Sequence, residues 1–238
     1  MVDLNGKLRL HSAFKHSIEH IGNERSPVLV IDNFLSDPEV LIDFAAAHAQ
    51  FESVSNAFYP GVRAPIPPIY SFAARSFLSD LISDTFGLGG NRVTKELSHF
   101  SLVTTPPARL HVLQRLPHFD HTDDKQLALL HYLCPAKHGG TSFYRHRATG
   151  FETIRPHRLA DYRRVLNAEL TALGLPPPEY LRGDNAMFER IASFEAVFNR
   201  VLVYRSITLH SGDIPPGFAG EADPRTGRLT ANTFFFYR

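Results

Sequence analysis

Gln114-Arg-Leu-Pro-His-Phe-Asp-His-Thr-Asp-Asp124 carries two His/Asp pairs, each at i, i+2 spacing, directly after an alternating run of apolar and polar residues. On a β-strand successive side chains point to opposite faces. A His and an Asp two apart therefore point the same way and can hold one metal ion from one strand end. The pairs are His118 with Asp120 and His121 with Asp123. In the preceding Arg109-Leu-His-Val-Leu-Gln-Arg-Leu116, the apolar Leu110, Val112 and Leu116 are even-numbered, and the polar Arg109, His111 and Arg115 are odd-numbered. With residues 108 to 117 read as a strand whose even positions face inward, His118 and Asp120 share the interior face. A bulge at Pro117 would reverse the choice, so the second pair stays open.

The chain has 238 residues, enough to bury a substantial core, and all-β folds of this size form one domain. Its formal net charge is +1, with both signs mixed along the chain, which points to no nucleic-acid partner and no membrane surface. The single cysteine, Cys134, lies in an apolar run and reads as a buried small hydrophobe. It excludes an intrachain disulfide and suits a reducing compartment. The opening Met-Val-Asp-Leu-Asn-Gly6 lacks a signal-peptide pattern and no apolar run approaches a membrane span, so the expected location is cytoplasmic.

Outward from the central stretch, residues 1 to 26 read as a polar, irregular or amphipathic arm. A strand is expected at Pro27 to Asp32, then a helix from Val40 to Ala49 with Ser36 as N-cap and Glu39 three residues on. Phe58 to Tyr70 is proline-rich and reads as an extended loop, and Ser71 to Phe86 as a helix stopped by Gly87-Leu-Gly-Gly90. Strands are expected at 93 to 104, 108 to 117, 127 to 134, from Gly139 to Tyr144, at 190 to 197, from Val201 to His210 after a corner at Asn199-Arg200, and at 228 to 237. The run from Leu127 to Cys134 is apolar on both faces, which suits a central strand. Residues 156 to 187 read as a helical insertion broken at Pro176-Pro-Pro178. The whole suggests a single-domain jelly roll, with residues 1 to 92 as helical and strand support and 93 to 238 as the core, carrying an insertion at 151 to 187. That insertion is expected at the entrance to the site, either as a closing loop or as a structural flap on the outer sheet.

A third metal ligand has to come from a distant strand end. His210 is the leading candidate, because Leu202, Tyr204, Ser206, Thr208 and His210 share one face of the expected strand. Two imidazoles and one carboxylate form the facial triad of non-haem Fe(II) oxygenases, which leaves positions open for co-substrate and oxygen. Arg228, Thr230 and Asn232 share a face of the last strand, where a guanidinium and a hydroxyl can hold a carboxylate together. Tyr204 and Gln114 are candidates for the pocket wall. His138 and Tyr144-Arg-His-Arg147 could support the site, or form an ordinary solvated edge. Phe234-Phe-Phe-Tyr237 reads as core packing.

His118-Phe-Asp120, Gly139-Gly-Thr with Phe143, Asn199-Arg-Val-Leu-Val-Tyr204, His210 and Arg228-Leu-Thr230 occur in the order of Fe(II)/2-oxoglutarate-dependent oxygenases of the prolyl-hydroxylase-like type, which the chain resembles over residues 94 to 238. The looser match is Val30-Ile-Asp-Asn-Phe-Leu-Ser-Asp-Pro38. More narrowly, Gln114 to Asp120, Leu130-His-Tyr-Leu-Cys134 and Gly139 to Glu152 resemble an uncharacterised bacterial group often associated with tryptophan-halogenase gene neighbourhoods. The resemblance implies a double-stranded β-helix, Fe(II) held by His118, Asp120 and His210, and 2-oxoglutarate held by Arg228. It also implies O2 as second substrate and hydroxylation of a small molecule, an amino-acid derivative or a peptidyl side chain. The chain departs from the pattern in its long spacing from His210 to Arg228, which keeps Arg225 in contention. Two other classes use the same fold: a cupin-type metal enzyme without oxidation, which would not need Arg228, and a catalytically silent binding protein. Oligomeric state is open, a homodimer included.

Overall fold

The computed structural model describes residue 4 and residues 6–53 and 59–238. Residues 1–3 and 5 of the expected arm, and Phe58 at the head of the proline-rich loop, lie outside them. The described residues form, in order, strands β1 (Lys15–Ile21) and β2 (Ser26–Asp32), helix α1 (Glu39–His48), β3 (Glu52–Ser53), β4 (Gly61–Pro65), α2 (Pro68–Phe86), β5 (Val93–Val103), β6 (Gln126–Tyr132), β7 (Gly140–His146), α3 (Pro156–Leu173), β8 (Phe188–Phe194), β9 (Val201–Arg205), β10 (His210–Asp213) and β11 (Arg228–Tyr237). Eight strands make one sheet in the order β1-β2-β9-β6-β11-β5-β4-β3, and β10-β7-β8 make a second. Neighbouring strands are antiparallel throughout. The two facing sheets form a double-sheet jelly roll.

The period-2 alternation explains why both faces of the large sheet are covered. Leu127 and Leu129 of β6, Val201 and Val203 of β9, and Leu229, Ala231 and Phe235 of β11 face one way, onto α1 and α2. Ala128, Leu130 and Tyr132 of β6 and Leu202 and Tyr204 of β9 face the other way, onto Phe143 of the small sheet. β6 is thus central and apolar on both sides, as its composition implies. Helix α2 lays Tyr70, Ala74, Leu78, Ile82 and Phe86 on the sheet as a stripe at four-residue intervals. Each fully buried Leu or Phe of this kind contributes about 1.5–3 kcal/mol. Gly87 ends the helix at φ +61, a conformation that favours glycine.

Several sequence expectations change. The N-terminal arm contains β1, an exposed edge strand paired with β2. Ser36 caps nothing with its side chain; α1 starts at Pro38 and Glu39. The proline-rich loop contains β4, and α2 begins at Pro68, because a proline at the first helical turn needs no N–H partner. Residues 108 to 117 are not a strand. Pro106, Pro107 and Pro117 remove ladder donors, and two 3-10 turns at Pro107–Arg109 and Val112–Arg115 take their place. The second turn is capped reciprocally, with His111 Nδ1 accepting from the Leu113 N–H and Gln114 Oε1 accepting from the His111 N–H. The insertion is helical only to Leu173 and continues as irregular chain through Pro176-Pro-Pro178. β8 spans 188 to 194 rather than 190 to 197. The run from Val201 to His210 divides between the two sheets: β9 ends at Arg205, the chain turns at Ser206 and Ile207, and β10 begins at His210.

Candidate metal centre

The segment bearing His118 and Asp120 is held by main-chain pairing against the turn between β9 and β10. His118 and His210 form an antiparallel bridge in which each N–H donates to the other's carbonyl at 2.8 Å. Asp120 N–H donates to the Ser206 carbonyl, also at 2.8 Å. Two residues of separation then place the His118 and Asp120 side chains beside His210. One ligand atom from each of the three residues lies within 4.8 Å of the others. His118 Nε2 is 3.8 Å from Asp120 Oδ1, and His210 Nε2 is 3.7 Å from Asp120 Oδ2.

The tautomer of His210 follows from its partner. A carbonyl can only accept, so the contact between Nδ1 and the Thr208 carbonyl at 2.9 Å requires Nδ1–H and leaves Nε2 as the ring nitrogen that faces Asp120. Burial, with His210 and Arg63 close by, holds the His118 pKa well below the usual histidine range, so its imidazole is neutral and ready to ligate. Burial raises the pKa of the Asp120 carboxyl, opposed by His210 and Arg63. Its side chain is only 18 % exposed. A dication placed between these groups would favour the carboxylate again. Two imidazoles and a carboxyl group, with no further His, Cys, Asp or Glu grouped with them among the described residues, suit a transition metal with open positions.

His121 and Asp123 turn away from this cluster. His121 Nδ1 accepts from the Asp123 N–H, and Asp123 Oδ1 accepts from the Lys125 N–H, a local turn at the surface. The parity argument thus chose the pair that meets His210, although the strand it assumed does not exist. The face expected to join Tyr204 to His210 does not exist either, yet the two rings meet edge to face with centroids 4.9 Å apart, brought together by the turn.

The cluster opens into a cavity of about 910 Å³ lined by both sheets and by α3. Arg228 is 5 % exposed. Its Nη2 donates to the Gly140 carbonyl at 2.8 Å, and its Nε is buried with no hydrogen-bond partner among the described residues. Gly140 lies tight against β8, where a Cβ would come 1.9 Å from the Phe194 carbonyl oxygen, and Gly139 has φ +79. Thr230 lies on the same cavity face, its Oγ1 donating to the Ser101 carbonyl at 3.3 Å. Arg225 is exposed and paired with Asp43 at 2.5 Å, away from the cavity. Gln114 reaches the cavity wall, but its amide is engaged: Oε1 caps His111 and Nε2 donates to the Tyr59 carbonyl at 3.1 Å. Asn232 Oδ1 and Gln126 Oε1, both on the lining, are likewise buried without hydrogen-bond partners among the described residues.

Other candidate side chains are engaged with partners within the fold. Tyr144 is buried with its hydroxyl on the Leu181 carbonyl, Arg145 pairs with Glu152 and Glu189, His146 with Glu169, and Arg147 with Asp184. The terminal aromatic run splits by alternation: Phe235 and Tyr237 join the helix-side core, while Phe234 and Phe236 line the cavity. Sequence reasoning missed Arg63 and Tyr59, which line the cavity from the proline-rich stretch. Only the register of β4, which sets Arg63 opposite Ser101, reveals which way that arginine faces. Tyr162 and Leu166 of α3 also line the cavity, as the expected position of the insertion implies.

A family described as "Family of unknown function (DUF6445)" matches residues 12–235, nearly the whole chain. The chain belongs to the DUF6445 family. No curated protein matches this DUF6445 chain. Among solved structures it is similar to SnoN, described as a non-heme alpha ketoglutarate dependent epimerase from nogalamycin biosynthesis, at 11 % identity over 90 % of this chain and 78 % of that one, with a TM-score of 0.49. It is also similar to HygX from Streptomyces hygroscopicus with nickel, 2-oxoglutarate and hygromycin B bound (11 % identity, 90 % and 84 % covered, TM-score 0.48). A third is SnoK, described as a carbocyclase from nogalamycin biosynthesis (15 %, 89 % and 80 %, TM-score 0.48).

Proposed function

We propose that this DUF6445 protein is a non-haem Fe(II)/2-oxoglutarate-dependent oxygenase acting on a small molecule, an amino-acid derivative or a peptidyl side chain. The observation that carries the reading is the conjunction, in one cavity, of the His118, Asp120 and His210 donors with the buried Arg228 guanidinium whose Nε lacks a partner. A metal site alone suits many chemistries. A second, fixed carboxylate receptor beside it suits a dicarboxylate that chelates the metal at one end.

The donor set fits Fe(II), which with 2-oxoglutarate and O2 supplies oxidative decarboxylation to succinate and CO2 and oxidation of a substrate C–H bond. In this reading His118, Asp120 and His210 hold the ion on one side. The Thr208 carbonyl keeps His210 in the ligating tautomer. Arg228 and Thr230 receive the distal carboxylate, with the Gly140 carbonyl fixing the guanidinium beforehand. Tyr204 packs against His210 and restricts its ring. Phe234, Phe236 and Leu166 exclude water from the lining. A cavity of about 910 Å³ has room for co-substrate and a second organic molecule.

Anaerobic addition of Fe(II) and 2-oxoglutarate, followed by visible absorption, tests the class. A charge-transfer band that needs both components is expected. Stoichiometric Fe(II) binding with no band and no 2-oxoglutarate affinity would sink the reading in favour of a non-oxidative cupin-type enzyme, and absence of metal binding would favour a binding protein.

A further inference from the structure

The cavity contains more cationic side chains than a metal and its co-substrate call for. Among its described lining residues Arg63, Arg163 and Arg228 bear guanidinium groups, while Asp120 is the single carboxylate and faces the two histidines. On the reading proposed above, on which this inference rests, Arg228 takes the co-substrate carboxylate. Arg163 is exposed on α3 at the cavity's edge, where water screens it. Arg63 lines the cavity and forms no ion pair among the described residues; its cross-strand neighbour Glu52 is exposed.

Arg63 is also held in a receptor-like geometry. β4 sets it opposite Ser101 on the cavity face of the large sheet. Its guanidinium carbon sits 4.3 Å over the Tyr59 ring, which orients the plane of the fork. Its Nε is buried with no hydrogen-bond partner among the described residues. A buried N–H without a protein partner is a donor that a ligand oxygen in the cavity can complete. Beside it on the same wall, Leu97 and Phe234 are cross-strand partners, and with Phe236 they give the cavity an apolar side.

We infer that Arg63, stacked on Tyr59, is the recognition site for a carboxylate on the primary substrate, which is an acidic small molecule with an apolar body lying along Leu97, Phe234 and Phe236. A planar fork matched to a carboxylate gives bidentate contact and sets orientation toward the metal side of the cavity.

The test uses 3-phenylpropanoate, octanoate and their primary amides as matched probes, read by saturation-transfer NMR on protein loaded with Zn(II), with and without 2-oxoglutarate. The acids are expected to bind the wild type at least tenfold more tightly than the amides, and Arg63→Gln to abolish that preference while the Fe(II)/2-oxoglutarate absorption band is kept. Should Arg63→Gln fail to fold, Arg63→Lys retains the charge but not the fork, and at least a threefold loss of preference is expected. Absence of an acid preference in the wild type, or its survival in the variants, overturns the inference while leaving the oxygenase reading intact. Loss of the 2-oxoglutarate band in Arg63→Gln also overturns it, because Arg63 would then hold the co-substrate. A preference that persists in protein showing no band would instead remove the oxygenase reading and leave a carboxylate site at Arg63.

Discussion

The main chains of His118 and His210, 92 residues apart in sequence, exchange two hydrogen bonds of 2.8 Å. This bridge, rather than a continuous strand, sets the metal-competent side chains at a common point. It ties the loop after the 3-10 turns to the start of β10.

The ligand assignment makes an unambiguous prediction. His118→Ala, Asp120→Ala and His210→Ala each abolish stoichiometric Fe(II) binding in anaerobic titration calorimetry. His121→Ala and Asp123→Ala leave it measurable, because both residues are engaged in a surface turn. The opposite pattern would show that the surface pair is the metal site.

Arg228→Ala raises the 2-oxoglutarate requirement by roughly 30- to 1,000-fold, the equivalent of losing about 2–4 kcal/mol from a bidentate charged contact in a pocket. Fe(II) affinity is unchanged. Arg225→Ala has no effect on either quantity, since that side chain pairs with Asp43 outside the cavity. Equal co-substrate affinity in Arg228→Ala and wild type would rule out the assignment.

A buried histidine away from the site governs part of the pH dependence of stability. His131 Nε2–H donates to Asn199 Oδ1, whose side chain also brackets Leu35, and Nδ1 faces the Tyr70 hydroxyl. Burial depresses its pKa from 6.5 to about 4, opposed by the Asn199 contact. The unfolded chain therefore binds the proton more readily. Stability is complete above pH 6.5 and falls as the pH drops toward 4, by about 2 kcal/mol at pH 5. Urea unfolding of wild type and His131→Gln at pH 7 and pH 5 checks this: the variant should lack that part of the decline, and parallel declines would refute it.

The packing of helix α3 predicts a fixed wall rather than a lid. Tyr162 packs edge to face on Phe119, between the two ligands of the His-x-Asp segment, and Leu159, Leu166 and Leu170 join the cluster around Tyr144 and Phe188. Hydrogen exchange is expected to show α3 already protected in the ligand-free protein and unchanged by Ni(II) with 2-oxoglutarate. Protection that arises only on ligand addition would favour the closing-loop reading of the insertion.

What the sequence determined by itself is what depends on local pattern. The run Leu127–Tyr132, apolar on both faces, specified a central strand, alternation in Arg228–Tyr237 specified a strand with two distinct faces, the apolar stripe before Gly87 specified α2, and His-x-Asp spacing supplied two candidate ligands from one short segment. Tertiary structure decided what depends on register and on where the chain leaves a sheet. Prolines broke the strand expected at 108 to 117, and the turn at Ser206-Ile207 brought Tyr204 and His210 together without a shared strand face. Arg63 is one arginine among prolines until β4 pairs with β5 and turns it inward, and Arg225 and Arg228 differ only in that one precedes the last strand and pairs outward while the other begins it and is buried. Side-chain direction at such points is set by hydrogen-bonded partners far away in sequence, and no local periodicity encodes them.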